Sequence, residues 1–210
     1  KTDGYLKKIV ELQENGFSNS IIVLDSTSEL DRLQKLKSSK VLRIGLRMAI
    51  NEEAQSAYYT SRLGIPAKDI IPFFKTKIRD NDKFELKMLH FFVDSGIKDT
   101  LYYWGEFQRA LKLYIELKKE SENLTAFNLG GGFPIRNHLG FEYDYEYMVQ
   151  EIVLQIKSMC DDHNLTHPDL YTEFGSFTVG ESGGACGPGP GRIGHRAVAV
   201  VLDGAPLDAA

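Results

Sequence analysis

Three consecutive glycines and one glutamate are the residues of this 210-residue sequence with the clearest capacity for chemistry. Gly130, Gly131 and Gly132 follow the apolar stretch LTAFNL, and residues without a Cβ let backbone N–H groups approach a phosphate. Glu173 follows the stretch PDLYT, where a carboxylate could pair with a protonated ring nitrogen of a bound molecule. The sequence therefore indicates a phosphate-binding loop and an acid, each at the end of a predicted strand.

Each of these features also has a simpler explanation. The glycines match neither a Walker loop nor the GxGxxG motif, so they could form a tight turn packed under the next helix. Glu173 could form an ion pair with Arg43 or Arg47. His90 lies inside an apolar stretch, which is typical of a histidine in or near the core. These alternatives remain open on the residues alone.

Short apolar stretches alternate with longer amphipathic ones, and this alternation predicts the elements that position the glycines and the acid. Strands are predicted over 21–25, 41–48, 84–93, 124–132 and 168–175. Helices are predicted over about 5–15, ELDRLQKLK, about 99–120 and about 144–163, with a helix interrupted by Pro72 in IPAKDIIPFFKTKIRD and a loop in AINEEAQSAYYTSRLG. Five strand–helix steps without a hairpin signal predict a parallel α/β fold, in which ligands bind at the carboxyl ends of the strands.

Composition excludes several classes of function. The net charge is -4 with 26% charged residues, unlike the clustered basic surface of a nucleic-acid-binding protein. No tract of about 18 apolar residues is present, so no membrane span is predicted. Cys160 and Cys186 have neither metal-ligand nor disulfide spacing, which predicts no metal site and a reducing, cytoplasmic setting. Cys160 is expected to be a small buried residue.

The chain divides at about residue 182. Residues 1–182 are rich in Lys, Ile, Asn, Phe and Tyr, and they are predicted to form one domain. Residues 183–210 contain no Lys and are dominated by Gly, Ala, Pro and Arg. We expect this tail not to be native to the fold, although HRAVAVVLD could form one short strand.

Four segments carry a resemblance to a known family: VLRIGLRM, KMLHFFVDSG, LTAFNLGGGFPI and PDLYTEFGSFTVGESG. In this order and spacing the sequence resembles biosynthetic arginine decarboxylases, which belong to the alanine-racemase-like, fold-type III class of pyridoxal-phosphate enzymes. The similarity extends over about residues 1–182. It implies a partial (β/α)8 TIM barrel, consisting of about the last five β/α units, and pyridoxal 5'-phosphate as the cofactor.

The resemblance also implies roles for individual residues. Glu173 matches the acid that faces the pyridine nitrogen, and it is the predicted catalytic residue. The glycine triplet would bind the cofactor phosphate through its backbone. The complete set of implied cofactor-binding residues is Gly130, Gly131, Gly132, Gly175, Ser176, Ser95, Phe92 and Arg43.

Three positions depart from the family pattern. Phe92 stands where the family has a histidine stacked on the cofactor ring, and Asp94 replaces a glycine. A phenylalanine can cover the ring face but supplies no polar edge. Ser176 replaces an arginine, which would remove a charge-assisted phosphate contact typically worth ~1.5–3 kcal/mol.

The resemblance further implies an incomplete enzyme. The family's Schiff-base lysine lies in a Lys-x-Asn context on the first barrel strand, whereas Lys1 precedes a predicted helix. No counterpart of the family's C-terminal β-domain is recognised after Ser182. We therefore expect the parent protein to convert arginine into agmatine and carbon dioxide for polyamine synthesis, and this fragment to be inactive.

Two other functions stay open. One is a non-catalytic barrel that binds pyridoxal phosphate or another phosphorylated ligand, which the exchanges at Phe92 and Ser176 favour. The other is a related decarboxylase or racemase acting on ornithine or diaminopimelate. In each case the expected partner is a small molecule, an amino acid for the enzymes, with neither nucleic acid nor membrane, and the parent is expected to be a homo-oligomer.

Overall fold

The computed structural model describes residues 1–17, 19–50, 63–93, 100–134, 142–179 and 200–201. Its helices are α1 (Asp3–Glu14), α2 (Thr27–Lys35), α3 (Ala67–Phe73), α4 (Thr100–Glu120), α5 (Tyr145–Asp162) and α6 (Gly175–Val179). Its strands are β1 (Ile22–Leu24), β2 (Leu42–Ala49), β3 (Ile65–Pro66), β4 (Phe84–His90), β5 (Ala126–Asn128), β6 (Asp169–Thr172) and β7 (Val200–Val201).

The main strands are parallel and lie side by side in chain order. β1 pairs with β2, β2 with β4, β4 with β5 and β5 with β6. β3 extends the pairing of β2, and β7 lies antiparallel to β6. The predicted parallel α/β architecture is confirmed. The strand order does not reverse, unlike that of a doubly wound dinucleotide-binding sheet.

One face of the sheet packs against helices through apolar side chains. Phe127 of β5 lies 5.3 Å from Tyr114 and 6.5 Å from Phe107, both on α4, between ring centroids. Leu46 and Leu89, on the neighbouring strands, are fully buried. This layer supplies most of the core, and burial of each such side chain stabilises the fold by about 1.5–3 kcal/mol.

The opposite face of the sheet carries polar side chains. In β2 and β4, half-exposed residues alternate with buried ones, so Arg43, Arg47 and Glu85 lie on this face. The pairing of β2 with β4 shifts register by one residue between Ile44 and Gly45. Charged side chains of these strands are therefore confined to the face of the sheet opposite the helices.

Local sequence signals account for the ends of the helices. The side chain of Thr2 accepts a hydrogen bond from the N–H of Tyr5 at the start of α1. Asp144 does the same for Tyr147 at 2.9 Å, so YDYEY opens α5 as predicted. None of the helices in the described ranges is both long and apolar enough to cross a membrane.

Several predicted boundaries move in the structure. Strand β4 ends at His90 rather than at residue 93, and β5 has only three residues. The last predicted strand ends at Thr172, because the chain turns at Glu173 and begins a short helix at Gly175. Pro72 lies within α3, and a π-helical turn, Phe74–Ile78, follows directly. The loop predicted around residues 49–64 lies mostly outside the described residues. Cys160 is buried, as expected.

Candidate functional site

A row of polar residues crosses the sheet near the carboxyl ends of its strands. The register pairs Arg47 with His90, His90 with Asn128 and Asn128 with Tyr171. Asp25 follows Leu24, which pairs with Leu46, so it extends the row beyond Arg47. We call Asp25, Arg47, His90, Asn128 and Tyr171 the polar row.

The first end of the polar row is an ion cluster. The Asp25 carboxylate lies 2.7 Å from the Lys1 ammonium and 3.4 Å from the Arg47 guanidinium. Burial opposes ionisation of Asp25, but the hydrogen bond and charge of Lys1 and the charge of Arg47 outweigh it, so the pKa is lowered. Arg47 also lies over the ring of Phe92, 5.7 Å from its centroid, which is cation–π distance.

His90 occupies the middle of the polar row and is buried, with 6% of its surface exposed. Neither ring nitrogen makes a hydrogen bond with a described residue. Burial first, and then the charge of Arg47, lower its pKa to about 3. His90 is therefore neutral at physiological pH, with a proton on only one of its two nitrogens.

Asn128 connects the polar row to Glu173 and to the glycines. Its Nδ2 donates to Glu173 Oε1 at 3.0 Å, and its Oδ1 accepts from the Gly130 N–H at 2.8 Å. His90 Nε2 lies 3.6 Å from the same oxygen of Glu173. Glu173 Oε2 makes no hydrogen bond or ion pair with the described residues. Among the described residues, the carboxylate is thus held through Oε1, while Oε2 has no partner.

The glycine triplet and Glu173 lie together, because the loops after β5 and β6 are bonded to each other. The Glu173 N–H donates to the Gly130 carbonyl at 2.8 Å. A Cβ on Gly131 would lie 2.7 Å from the Glu173 carbonyl oxygen, and one on Gly130 would lie 2.6 Å from that of Phe91. Gly130 also has a positive φ of 69°. Only glycine fits this close approach of backbones.

Two amides of the triplet remain available. The N–H groups of Gly131 and Gly132 donate to no described residue, whereas that of Gly130 is bonded to Asn128. The Gly175 N–H is also committed, to the Glu173 carbonyl at 2.8 Å. Of these predicted phosphate contacts, the backbone N–H groups of Gly131 and Gly132 are the ones without an acceptor among the described residues.

Aromatic rings hold the two loops together from the helix side. Phe133, directly after the triplet, stacks on Phe174 with 4.0 Å between centroids. Phe177 and Tyr145 pack around this pair, and the Tyr145 hydroxyl donates to the Pro134 carbonyl at 2.6 Å. Such ring pairs add about 0.5–1.5 kcal/mol each beyond the area they bury, so the geometry of the loops is well supported.

The structure does not bring every predicted site residue to this place. Arg43 lies four residues before Arg47 on β2, which is about 13 Å along the strand. It contacts Glu85 at 3.8 Å and is 40% exposed, so the arginine that the structure places beside Phe92 is Arg47. Ser95 and Asp94 lie outside the described residues. Ser176 is the second residue of α6, and its side chain also lies outside the part of the chain that the structure describes.

Sequence reasoning treated His90 as core and did not assign Asn128 a role. Neither is marked in its own stretch of sequence, since each is a single polar residue within a predicted apolar strand. Phe92, which the resemblance places against the cofactor ring, lies beside the glycine loop: an atom of its ring is 3.0 Å from a Cβ built on Gly130. The contacts between neighbouring strands are what distinguish these positions from ordinary core residues.

Solved structures share this fold. A crystal structure of diaminopimelate decarboxylase aligns with a TM-score of 0.66 at 21% identity, covering 84% of this chain and 40% of that one. Lysine decarboxylase from Selenomonas ruminantium aligns with a TM-score of 0.62 at 20% identity, covering 82% and 42%. At these identities the likeness concerns the fold.

Sequence comparison leads to the family. Biosynthetic arginine decarboxylase from Prochlorococcus marinus (strain AS9601) is 25% identical over 177 residues, which are 77% of this chain and 27% of the relative. The chain therefore spans about a quarter of the length of that relative. Residues 1–180 match the family described as "Pyridoxal-dependent decarboxylase, pyridoxal binding domain". The chain belongs to this family of pyridoxal-dependent decarboxylases, whose cofactor is pyridoxal phosphate.

Proposed function

We propose that the whole protein is an amino-acid decarboxylase that converts arginine into agmatine and carbon dioxide. In this proposal residues 1–182 form about five β/α units of a (β/α)8 barrel, and residues 183–210 are not part of it. Strands that neighbour one another in chain order support a barrel, because barrels are wound in one direction. The similarity to arginine decarboxylase supports the choice of substrate.

The described residues fit the family's cofactor. Gly131 and Gly132 offer two backbone amides that donate to none of the described residues, which suits a phosphate group. Glu173 offers an open carboxylate oxygen, which suits a ring nitrogen that carries a proton. The juxtaposition of Gly131 and Glu173 is the observation that carries the proposal, since one pyridine ring bearing a phosphate requires both groups.

When bound, pyridoxal phosphate supplies an electron sink for the electron pair that remains after carbon dioxide leaves. The residues of this chain would hold and orient it. Glu173 would keep a proton on the ring nitrogen through Oε2, and Phe92 would cover one ring face. We propose that Gly175, Ser95 and Ser176 lie near the phosphate, and that Arg47 rather than Arg43 lies beside the ring.

Binding of pyridoxal phosphate to this chain tests the proposed site. Glu173→Gln should weaken binding about tenfold or more, because the amide is a far weaker partner for a protonated ring nitrogen. Glu85→Gln is the matched control: Glu85 lies on the same face of the sheet near the other ends of the strands. Equal affinities of the two variants, measured by fluorescence titration, would contradict the site.

The fragment is also predicted to be inactive. Incubation with pyridoxal phosphate and borohydride should trap no stoichiometric adduct at a single lysine. Lys1 is the residue to watch, since its ammonium contacts Asp25 of the polar row. A unique stoichiometric adduct, located by peptide mass spectrometry, would overturn this expectation.

The substrate is decided by assaying the full-length protein against arginine, ornithine, lysine and diaminopimelate, with carbon dioxide release as the readout. The proposal requires arginine to be the preferred substrate. A second candidate function, ligand binding without turnover, is favoured by Phe92 and Ser176, where the family has a ring-stacking histidine and an arginine. Tight cofactor binding with no turnover of any of the four substrates would support that alternative.

A further inference from the structure

We propose that Asn128 and His90 are positioning residues that act through Glu173. They hold Oε1 of the carboxylate from two neighbouring strands and leave Oε2 to face the ligand. This inference rests on the proposed function, because it assigns a purpose to the orientation of the acid. It goes beyond that function by naming which side chains set the orientation and which atom of each does so.

The contact from Asn128 fixes the orientation of its amide. Oδ1 accepts from the Gly130 N–H at 2.8 Å, so Nδ2 is the group directed at Glu173, 3.0 Å from Oε1. Asn128 is only 6% exposed, and water cannot easily replace either bond. One side chain therefore ties the acid to the glycine loop, so that the two groups meant for ring and phosphate keep a constant separation.

The contact from His90 requires one particular tautomer. Its Nε2 lies 3.6 Å from Glu173 Oε1, and neither ring nitrogen has a hydrogen-bond partner among the described residues. A proton on Nε2 makes this contact attractive, whereas a lone pair there would face the carboxylate and repel it. A slight approach of the two groups would form a hydrogen bond, as happens when active sites close around a ligand.

Burial, more than the surrounding charges, favours a neutral His90 ring. The charged groups near it are Arg47 from β2, Asp25 after β1, Lys1 before α1 and Glu173 after β6. Two of these are cationic and two anionic, and burial adds to the cost of a further cation. A neutral donor is suited to positioning, because it orients the carboxylate without neutralising the charge that the ring nitrogen needs.

The tautomer of His90 can be read in the ligand-free chain by long-range ¹H–¹⁵N correlation NMR of labelled imidazoles. We expect His90 to be neutral with its proton on Nε2 between about pH 5 and 8. In Glu173→Gln the preference for Nε2–H should weaken, while Glu85→Gln should leave it unchanged. A proton on Nδ1, a charged ring, or no response to Glu173→Gln in a folded variant would overturn the proposal for His90.

Substitutions at Asn128 separate its two bonds. Asn128→Asp keeps an acceptor for the Gly130 N–H but loses the donor to Glu173, whereas Asn128→Ala loses both. Both variants should weaken pyridoxal phosphate binding about tenfold, and only Asn128→Ala should also release the glycine loop. Asn81→Ala, which changes a half-exposed asparagine before β4, is the control and should leave binding within about twofold.

The outcomes distinguish this inference from the proposed function. Loss of binding in Glu173→Gln with unchanged binding in Asn128→Asp would support the site and overturn the positioning role of Asn128. If the chain binds no pyridoxal phosphate at all, the proposed function fails for this chain. In that case the NMR measurement of the His90 tautomer still tests whether His90 orients Glu173. The ¹⁵N chemical shift of the Asn128 side-chain amide, compared between the wild type and Glu173→Gln, tests whether Asn128 does so. An unchanged shift would overturn that contact.

Discussion

The polar face of the sheet has two ends that contain similar residues in different states. Near the amino ends of the strands, Arg43 is 40% exposed and lies 3.8 Å from Glu85. Near the carboxyl ends, Arg47 is only 17% exposed and contacts a half-buried aspartate. His90 and Asn128 beside it are almost completely buried.

This difference shows that burial, rather than residue type, separates a site from a solvated surface. Exposed pairs such as Arg43–Glu85 contribute about 0–1 kcal/mol, because water screens them and long side chains lose entropy. Burying a polar group costs free energy unless it has a hydrogen-bond partner. Buried polar groups such as His90 and Asn128 are therefore expected where their orientation is needed for function. The carboxyl end is therefore the end at which substitutions should have specific consequences.

The largest expected effect is the loss of stability in acid caused by His90. The His90 side chain has a pKa near 6.5 in the unfolded chain and about 3 in the folded chain. The free energy of unfolding therefore falls as the pH drops below 6.5. One proton corresponds to about 1.4 kcal/mol per pH unit across this window. In His90→Gln this part of the slope should vanish.

Urea unfolding at a series of pH values between about 4 and 7 measures this slope. His163→Gln, at the exposed end of α5, serves as the control and should change the slope much less. Equal slopes for the wild type and His90→Gln would show that His90 does not resist protonation in the folded chain.

The second effect concerns the glycine loop. Gly130→Ala forces a non-glycine residue into a positive φ and places its Cβ 2.6 Å from the Phe91 carbonyl oxygen, so unfolding should become easier by about 2 kcal/mol. Gly105→Ala is the matched control, since nothing lies within 4 Å of its Cβ and alanine favours helix α4. Thermal unfolding should show a lower melting temperature for the first variant and an equal or higher one for the second.

The smallest effect compares two arginines on one strand. Arg47→Met removes one of the two cationic partners of the half-buried Asp25 and should cost about 1–2 kcal/mol, while Arg43→Met should cost less than about 1 kcal/mol. Urea unfolding of both variants at neutral pH measures this difference. Equal costs would mean that the two ends of the polar face are energetically alike.

The acid dependence of Arg47→Met sharpens the same comparison. The pKa of Asp25 is lowered in the folded chain, so the stability that its ionised form provides is present at neutral pH and is lost as the pH falls through the lowered value. The cost of Arg47→Met should therefore shrink in acid. A cost that stays constant down to low pH would argue against the ion pair as its cause.

The sequence predicted the fold well because buried parallel strands leave continuous apolar stretches. IIVLD, VLRIGLRM and LTAFNL all contain strands, and the helices lie where amphipathic spacing predicted them. Strand ends were harder to predict. The last predicted strand continued to residue 175, yet the chain turns at Glu173 because the backbone of Glu173 bonds to Gly130 and to Gly175.

The site was predictable only in part, for a physical reason. Gly131 and Glu173 could be singled out because each is unusual at its own position in the chain. Asn128 and His90 could not, because their significance lies in which residues face them on neighbouring strands. The same applies to the choice between Arg43 and Arg47, since a single sequence does not show where the neighbouring strands end relative to each arginine.

The one-residue shift in the pairing of β2 with β4 decides which side of the sheet His90 occupies. Side chains alternate along a strand, and before the shift Glu85 and Lys87 share the polar side. Continued alternation would have turned residue 90 towards the helices, next to Tyr103 and Phe107. Because β4 has one extra residue at the shift, the side chains after it point to the opposite faces. His90 therefore lies on the polar side of the sheet, within the site.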